Sequence, residues 1–140
     1  MAKDKKLDLL KEVPLFWGCT DKELKAIGAI ADSLDRPAGA VLMKEGDPGQ
    51  ELFIIAHGTA RISKNGRKIR SAGPGEAIGE LSLLDQGPRS ATVTAETPVT
   101  VYVVGSRSFA TLLHDAPTVG VKLLKSMAKR LRAAEKSAAH

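Results

Sequence analysis

Cysteine is nearly absent. Cys19 stands alone in 140 residues, so no disulfide can close within the chain and no cysteine-based zinc cluster can assemble. A reducing compartment is the expectation. Long apolar runs are also missing: the best, such as "LFIIA", falls far short of a bilayer span, and the basic start "MAKDKKLDLLKEV" leads into no signal-peptide core. The chain reads as soluble and cytoplasmic. His57 and His114 are far apart in sequence and no close histidine pair stands beside a carboxylate, which removes the ligand set of a metal-binding cupin. No G-x-S-x-G elbow and no Walker lysine after a glycine loop occurs either, so neither a serine nucleophile nor a triphosphate site is indicated. No repeat and no low-complexity segment interrupts the chain, and its length fits one domain.

The net charge is +5, but it has one source. Between Lys122 and Lys136 six basic residues and one acidic one sum to +5, leaving the rest of the chain formally neutral. The high isoelectric point therefore belongs to one terminal segment. It reads as a solvated helix face, or as a patch for an acidic partner, nucleic acid or a membrane surface.

Three textures follow one another along the chain. Residues 1–38 read as helical: Thr20 with Glu23 forms a capping-box pattern, and Leu24, Ile27 and Ile30 recur at helical spacing behind it. Just before, "EVPLFWG" reads as a turn in which Pro14 stops a short helix and Phe16 or Trp17 anchors to the core. Residues 39–105 are β territory. Nine of thirteen glycines lie between Gly39 and Gly87 and cut the chain into short strand-like pieces, "AVLMK", "ELFIIAH", "TARISK", "RKIRSA", "ATVTAE" and "VTVYVVG". Asn65-Gly66 is the sharpest turn signal, because a tight hairpin needs positive φ at both central residues. The expected fold is mainly β with flanking helices: an eight-stranded jelly roll, or double-stranded β-helix, between N-terminal and C-terminal helices. Residues 106–140 return to a helical period. "SRSFATLLHD" forms one helix, and Pro117 starts a longer one in which Gly120, Leu124, Met127 and Leu131 make an apolar stripe facing inward or toward a partner.

"GELSLLDQGPRSATV", Gly79 to Val93, carries the chemistry. Read as a strand end, a glycine and one helical turn, it presents the amides of Leu81 and Ser82 to an anion, and Gly79 lets that anion come close. Arg89, returned by the Asp85–Pro88 turn, adds charge-assisted hydrogen bonds, with the Ser90 and Ala91 amides completing a cradle. Glu80 would repel a phosphate, so it needs a donor instead, such as a ribose hydroxyl. An acid for the sugar and an arginine for one compact phosphate describe a nucleotide with a single phosphate. The bland alternative is a Glu80–Arg89 ion pair with no ligand. Ser90 and Thr92 alternate and can share a face.

This stretch resembles the phosphate-binding cassette of the cyclic-nucleotide-binding domain family, and the likeness extends to "VPLF", "PAGAVLMKEGDPGQELFII", "HGTARIS" and the terminal helices. The resemblance implies a cassette over 79–92 in which Gly79, Glu80, Leu81 and Ser82 hold ribose and phosphate. Arg89 pairs with the cyclic phosphate, and Ser90 and Ala91 complete the contact. It implies Ile62, Ile69 and Arg130 as base or lid contacts, with the last helix closing over the base near Met127–Leu131. The ligand would be cAMP in preference to cGMP, with no other cofactor, no metal and no catalysis. Output would pass through movement of the C-terminal helix toward a second copy or an effector. A nucleotide-free scaffold or dimerisation module built on the Leu124, Met127, Leu131 stripe is the alternative. Two departures stand out: Gln50 occupies the position of an acid that braces the arginine in some members, and Ile78 replaces a bulky aromatic. The helix-turn-helix of the transcription-factor branch is not expected, since the sequence stops at His140.

Overall fold

The computed structural model describes residues 5–138, apart from the side chains of Leu81 and Ala138. Three helical pieces open it: α1 (Lys5–Glu12), a 3-10 turn (Pro14–Phe16) and α2 (Asp21–Ala29). Both halves of the capping box are present at the start of α2, with Glu23 N–H donating to Thr20 Oγ1 (3.2 Å) and Thr20 N–H to Glu23 Oε1 (2.7 Å). Phe16 is the anchoring aromatic, fully buried, whereas Trp17 is 62% exposed.

Eight antiparallel strands follow. They are β1 (Asp32–Arg36), β2 (Val41–Met43), β3 (Glu51–His57), β4 (Ala60–Lys64), β5 (Arg67–Ala72), β6 (Ala77–Ile78), β7 (Thr92–Ala95) and β8 (Val99–Gly105). They form two four-stranded sheets, ordered β1-β8-β3-β6 and β2-β7-β4-β5. Between β4 and β5 the hairpin turns on Asn65 and Gly66, both at positive φ (52° and 79°), as Asn-Gly predicts. Two strands lie outside the sequence-based set. β1, "DSLDR", falls in the segment read as helical; it is polar, mostly exposed and has an edge position against β8, so it carries no apolar alternation to betray it. β6 is only two residues long.

The unbroken apolar run in β3 has a structural cause. Leu52 and Ile54 point into a core shared with the helices, while Phe53 and Ile55 point into a second core between the sheets. A strand covered on both faces has no reason to alternate.

A short helix, α3 (Glu80–Asp85), interrupts the strands, and α4 (Ser106–Asp115) and α5 (Pro117–Ala138) end the described chain. The stripe on α5 divides. Val119 and Leu123 are the buried residues and Met127 packs partly on the helical core, whereas Leu124 and Leu131 are 71% and 62% exposed. Apolar residues occupy more than one side of this helix, so several stripes can be drawn through the sequence and only the docked structure selects one. Among the described residues no helix is long and apolar enough to cross a membrane.

Candidate functional site

The site forms where β6 ends. Gly79 takes φ +84° and caps the start of α3, and a Cβ there would lie far inside contact distance of Arg89 Nη1. Glycine is thus required twice at one position, for the left-handed backbone and for the space the arginine fills. α3 then turns back through Gln86, also left-handed (φ 57°), into the Gly87-Pro88 turn.

That turn is stitched to the loop before β3. Arg89 N–H donates to Asp47 O (2.8 Å), Gly46 N–H to Arg89 O (2.9 Å) and Gly49 N–H to Gly87 O (3.1 Å). Ser82, buried, donates its hydroxyl to Gly87 O (3.1 Å), and Asp85 Oδ1 accepts from Gly87 N–H (2.8 Å). Gly49 lies so close that a Cβ would collide with Ser82 and with Arg89 Cδ. In the sequence "EGDPGQ" reads as a loop in which Gln50 alone is matched, by resemblance, to a brace on the arginine. The backbone groups of this loop that hold the arginine have no local signal, because the contact depends on a segment forty residues away.

Arg89 is only 6% exposed. Its Nη1 donates to the carbonyl of Glu51 (2.8 Å) and its guanidinium lies 5.8 Å from the Phe53 ring centroid. Burial pulls the group below its ordinary pKa, and the Glu51 carboxylate works against that. The brace on the arginine is therefore a backbone carbonyl one residue beyond Gln50, the position suggested for it. The other guanidinium donors make no hydrogen bond among the described residues.

Glu80 does not pair with Arg89. Its Oε1 accepts from Arg130 Nη1 of α5, and its Oε2 is buried with no hydrogen-bond partner among the described residues. The simple Glu80–Arg89 ion pair is absent, and each charge has its own surroundings.

Gly79, Glu80, Ser82, Arg89, Ser90 and Ala91 line one cavity of about 350 Å³, closed on its apolar side by Ile62, Ile78 and Val93. Ser90 is exposed at its mouth and Ala91 half-buried. The side chain of Leu81 lies outside the described set. Ile69 is 58% exposed and does not line the cavity; the alternation of β5 turns Arg70 toward it instead. Arg130 reaches the site through Glu80. Thr92 acts as a strap, its Oγ1 accepting from Glu45 N–H (3.0 Å). His57 ends β3 and His114 lies exposed on α4, and among the described residues no three potential metal ligands gather. Burial and Glu23 raise the Cys19 thiol above its usual value, against Lys122, which leaves little thiolate.

A buried cation with free donors, a carboxylate oxygen awaiting a donor and an apolar wall suit a ligand that is anionic at one end, hydroxylated in the middle and flat at the other. Comparison with known proteins agrees with that shape. The model of the cyclic nucleotide-binding domain matches residues 35–116, more than half of the chain. This chain belongs to the cyclic nucleotide-binding domain family.

Among relatives, the cAMP-dependent protein kinase regulatory subunit of Aspergillus niger is 38% identical over 106 residues, covering 74% of this chain and 26% of that protein. A CRP-like cAMP-activated global transcriptional regulator of Mycobacterium tuberculosis is 30% identical over 130 residues, covering 89% of this chain and 58% of the regulator. The chain therefore spans about a quarter and somewhat over half of these proteins. Among solved structures, the N-terminal domain of a transcriptional regulator from Streptomyces coelicolor A3(2) superposes with a TM-score of 0.85 at 36% identity, covering 93% of this chain and 94% of that one. The regulatory domain of Toxoplasma gondii PKA, crystallised with cAMP, gives 0.73 at 30% identity over 84% of this chain and 48% of that one.

Proposed function

We propose that this chain is one sensory unit, a jelly-roll domain of the cytoplasm, that binds a cyclic mononucleotide, cAMP in preference to cGMP, and signals through its C-terminal helix. The observation that carries the reading is Glu80 Oε2, buried and unpartnered in the same cavity as a buried arginine with spare donors. An unsatisfied buried polar atom costs about 1–3 kcal/mol, which a donated ribose hydroxyl would recover. Arg89, Ser90 and Ala91, with the first-turn amides of α3, would hold the cyclic phosphate. Ile62 and Val93 would take the base. Two relatives named for cAMP, the Aspergillus kinase subunit and the Mycobacterium regulator, support adenine over guanine.

The output step follows from Glu80. Its Arg130 partner sits on α5, so a sugar hydroxyl arriving at Glu80 would redistribute the hydrogen bonds that tie α5 to the cassette. Ligand shifts the helix only to the extent that one arrangement binds it more tightly. Calorimetry with cAMP and cGMP tests this: saturable heat at one site per chain, stronger for cAMP, is expected. Silence from both would leave the second reading, a nucleotide-free dimerisation module, which the exposed Leu124 and Leu131 favour.

A further inference from the structure

A second concavity, of about 470 Å³, lies between the Pro14–Gly18 turn and α5 and reaches toward the cassette at Arg130. One wall is Pro14, Trp17 and Gly18; the other includes Lys125, Lys129 and Ala133 of α5. Trp17 is the only tryptophan of the chain, and its indole is 62% exposed here. The turn that presents it is fixed: Phe16 is buried beside it, Trp17 N–H donates to Pro14 O (3.2 Å), and Ser126 Oγ ties α5 to the same carbonyl (3.0 Å). A large aromatic held rigidly on an apolar groove resembles the anchors that dominate protein interfaces, since little ordering is left to be done on binding.

The charge around the groove selects its occupant. Of the six cations between Lys122 and Lys136, Lys122 is taken by Glu23 and Arg130 by Glu80. The other four, Lys125, Lys129, Arg132 and Lys136, are exposed and have no anionic partner among the described residues. They fall at i, i+4, i+7 and i+11, one stripe about 16 Å long at 1.5 Å per residue. We infer that this groove and stripe dock an acidic protein segment, with a large apolar side chain seated against Trp17 and carboxylates along the cations.

Nucleic acid is the weaker fit. The chain outside this helix is formally neutral, so no wider positive field tracks a phosphate backbone, and the groove beside Trp17 is apolar. A bilayer is also a poorer fit, because Trp17 lines a concavity, and the exposed Leu124 and Leu131 lie about 100° round the helix from the cations. The inference does not rest on the proposed nucleotide site, although α5 and Arg130 are common to both.

The test is a titration of the whole chain with a synthetic peptide of about a dozen residues, Glu and Asp flanking a central Leu-Phe, followed by Trp17 emission and by anisotropy of the fluorescein-labelled peptide. Saturable binding is expected, with a shift in Trp17 emission, and about tenfold weaker binding to the exposed-charge variant K125E/K129E. Trp17→Ala should weaken the anisotropy signal comparably. Both variants leave the buried core untouched, and circular dichroism confirms their fold. No binding at about millimolar peptide, equal affinity for K125E/K129E, or equal binding of a Lys-for-Glu peptide would overturn the proposal. So would an emission shift caused by single-stranded DNA or by phosphatidylserine vesicles but not by the acidic peptide.

Discussion

The cassette from Gly79 to Ala91 and the helix α5 are joined by the Glu80–Arg130 pair, yet they are held in different ways. In the cassette the backbone itself is tied down: Arg89 gives and receives main-chain hydrogen bonds with the 46–47 loop, and Gly49 and Gly79 leave no room for a side chain. α5 is held along one side, by Val119 and Leu123 and by polar side chains, Thr118 and Lys122 to Glu23, Ser126 to Pro14, Arg130 to Glu80. Contacts of the first kind cannot be exchanged without moving the sheet. Those of the second kind can be traded one at a time, as the role proposed for α5 requires.

The contrast can be broken from either side. The largest effect is expected at the cassette: Arg89→Ala should cost about 2–5 kcal/mol of cyclic nucleotide binding by calorimetry, because it leaves a desolvated phosphate without its cation. Unchanged affinity would place phosphate recognition elsewhere. Next, Gly49→Val should lower unfolding stability in urea by about 1–3 kcal/mol and weaken nucleotide binding with it, since the new side chain displaces Ser82 and Arg89 together. Stability loss without binding loss would separate the loop from the site.

On the helical side Glu23 is the joint. Lys122 first, then Thr118 and the Thr20 amide, lower its pKa from 4.5 to about 2. A carboxylate depressed on folding stabilises the fold above its unfolded value, so this contribution is complete above about pH 4.5 and is lost as pH falls toward 2. Denaturant melts between pH 7 and pH 3 should show that loss, and Glu23→Gln, at a cost of about 1 kcal/mol at pH 7, should flatten it. An unchanged acid slope would remove Glu23 from the linkage. An effect of similar size is expected for Glu80→Gln, about 1 kcal/mol less discrimination between ribose and 2′-deoxyribose ligands. Smallest of all, Leu124→Gln should change stability by no more than about 0.5 kcal/mol, because that side chain touches little. A larger cost would mean that a partner covers it.

What could be read beforehand follows the same division. The capping box, the Asn65-Gly66 hairpin, the apolar strands and the residues that gather round the cavity are local patterns, and local patterns survive in a sequence. The polar edge strand β1 had no pattern to read. The correct face of α5 depended on which of several apolar stripes the 3-10 turn would accept. Ile69 was set one residue out of phase with the cavity, where period-two alternation reverses the answer and offers Arg70. The Glu51 carbonyl that holds Arg89 is backbone, and backbone acceptors have no letter.

One strand makes these two halves a single cooperative object. β3 contributes alternate residues to both cores, Leu52 and Ile54 behind, Phe53 and Ile55 in front, so melting the helical layer strips one face of the strand on which the sheet-side core is assembled. Its amides should be among the last to exchange with deuterated solvent, opening only when the whole molecule does.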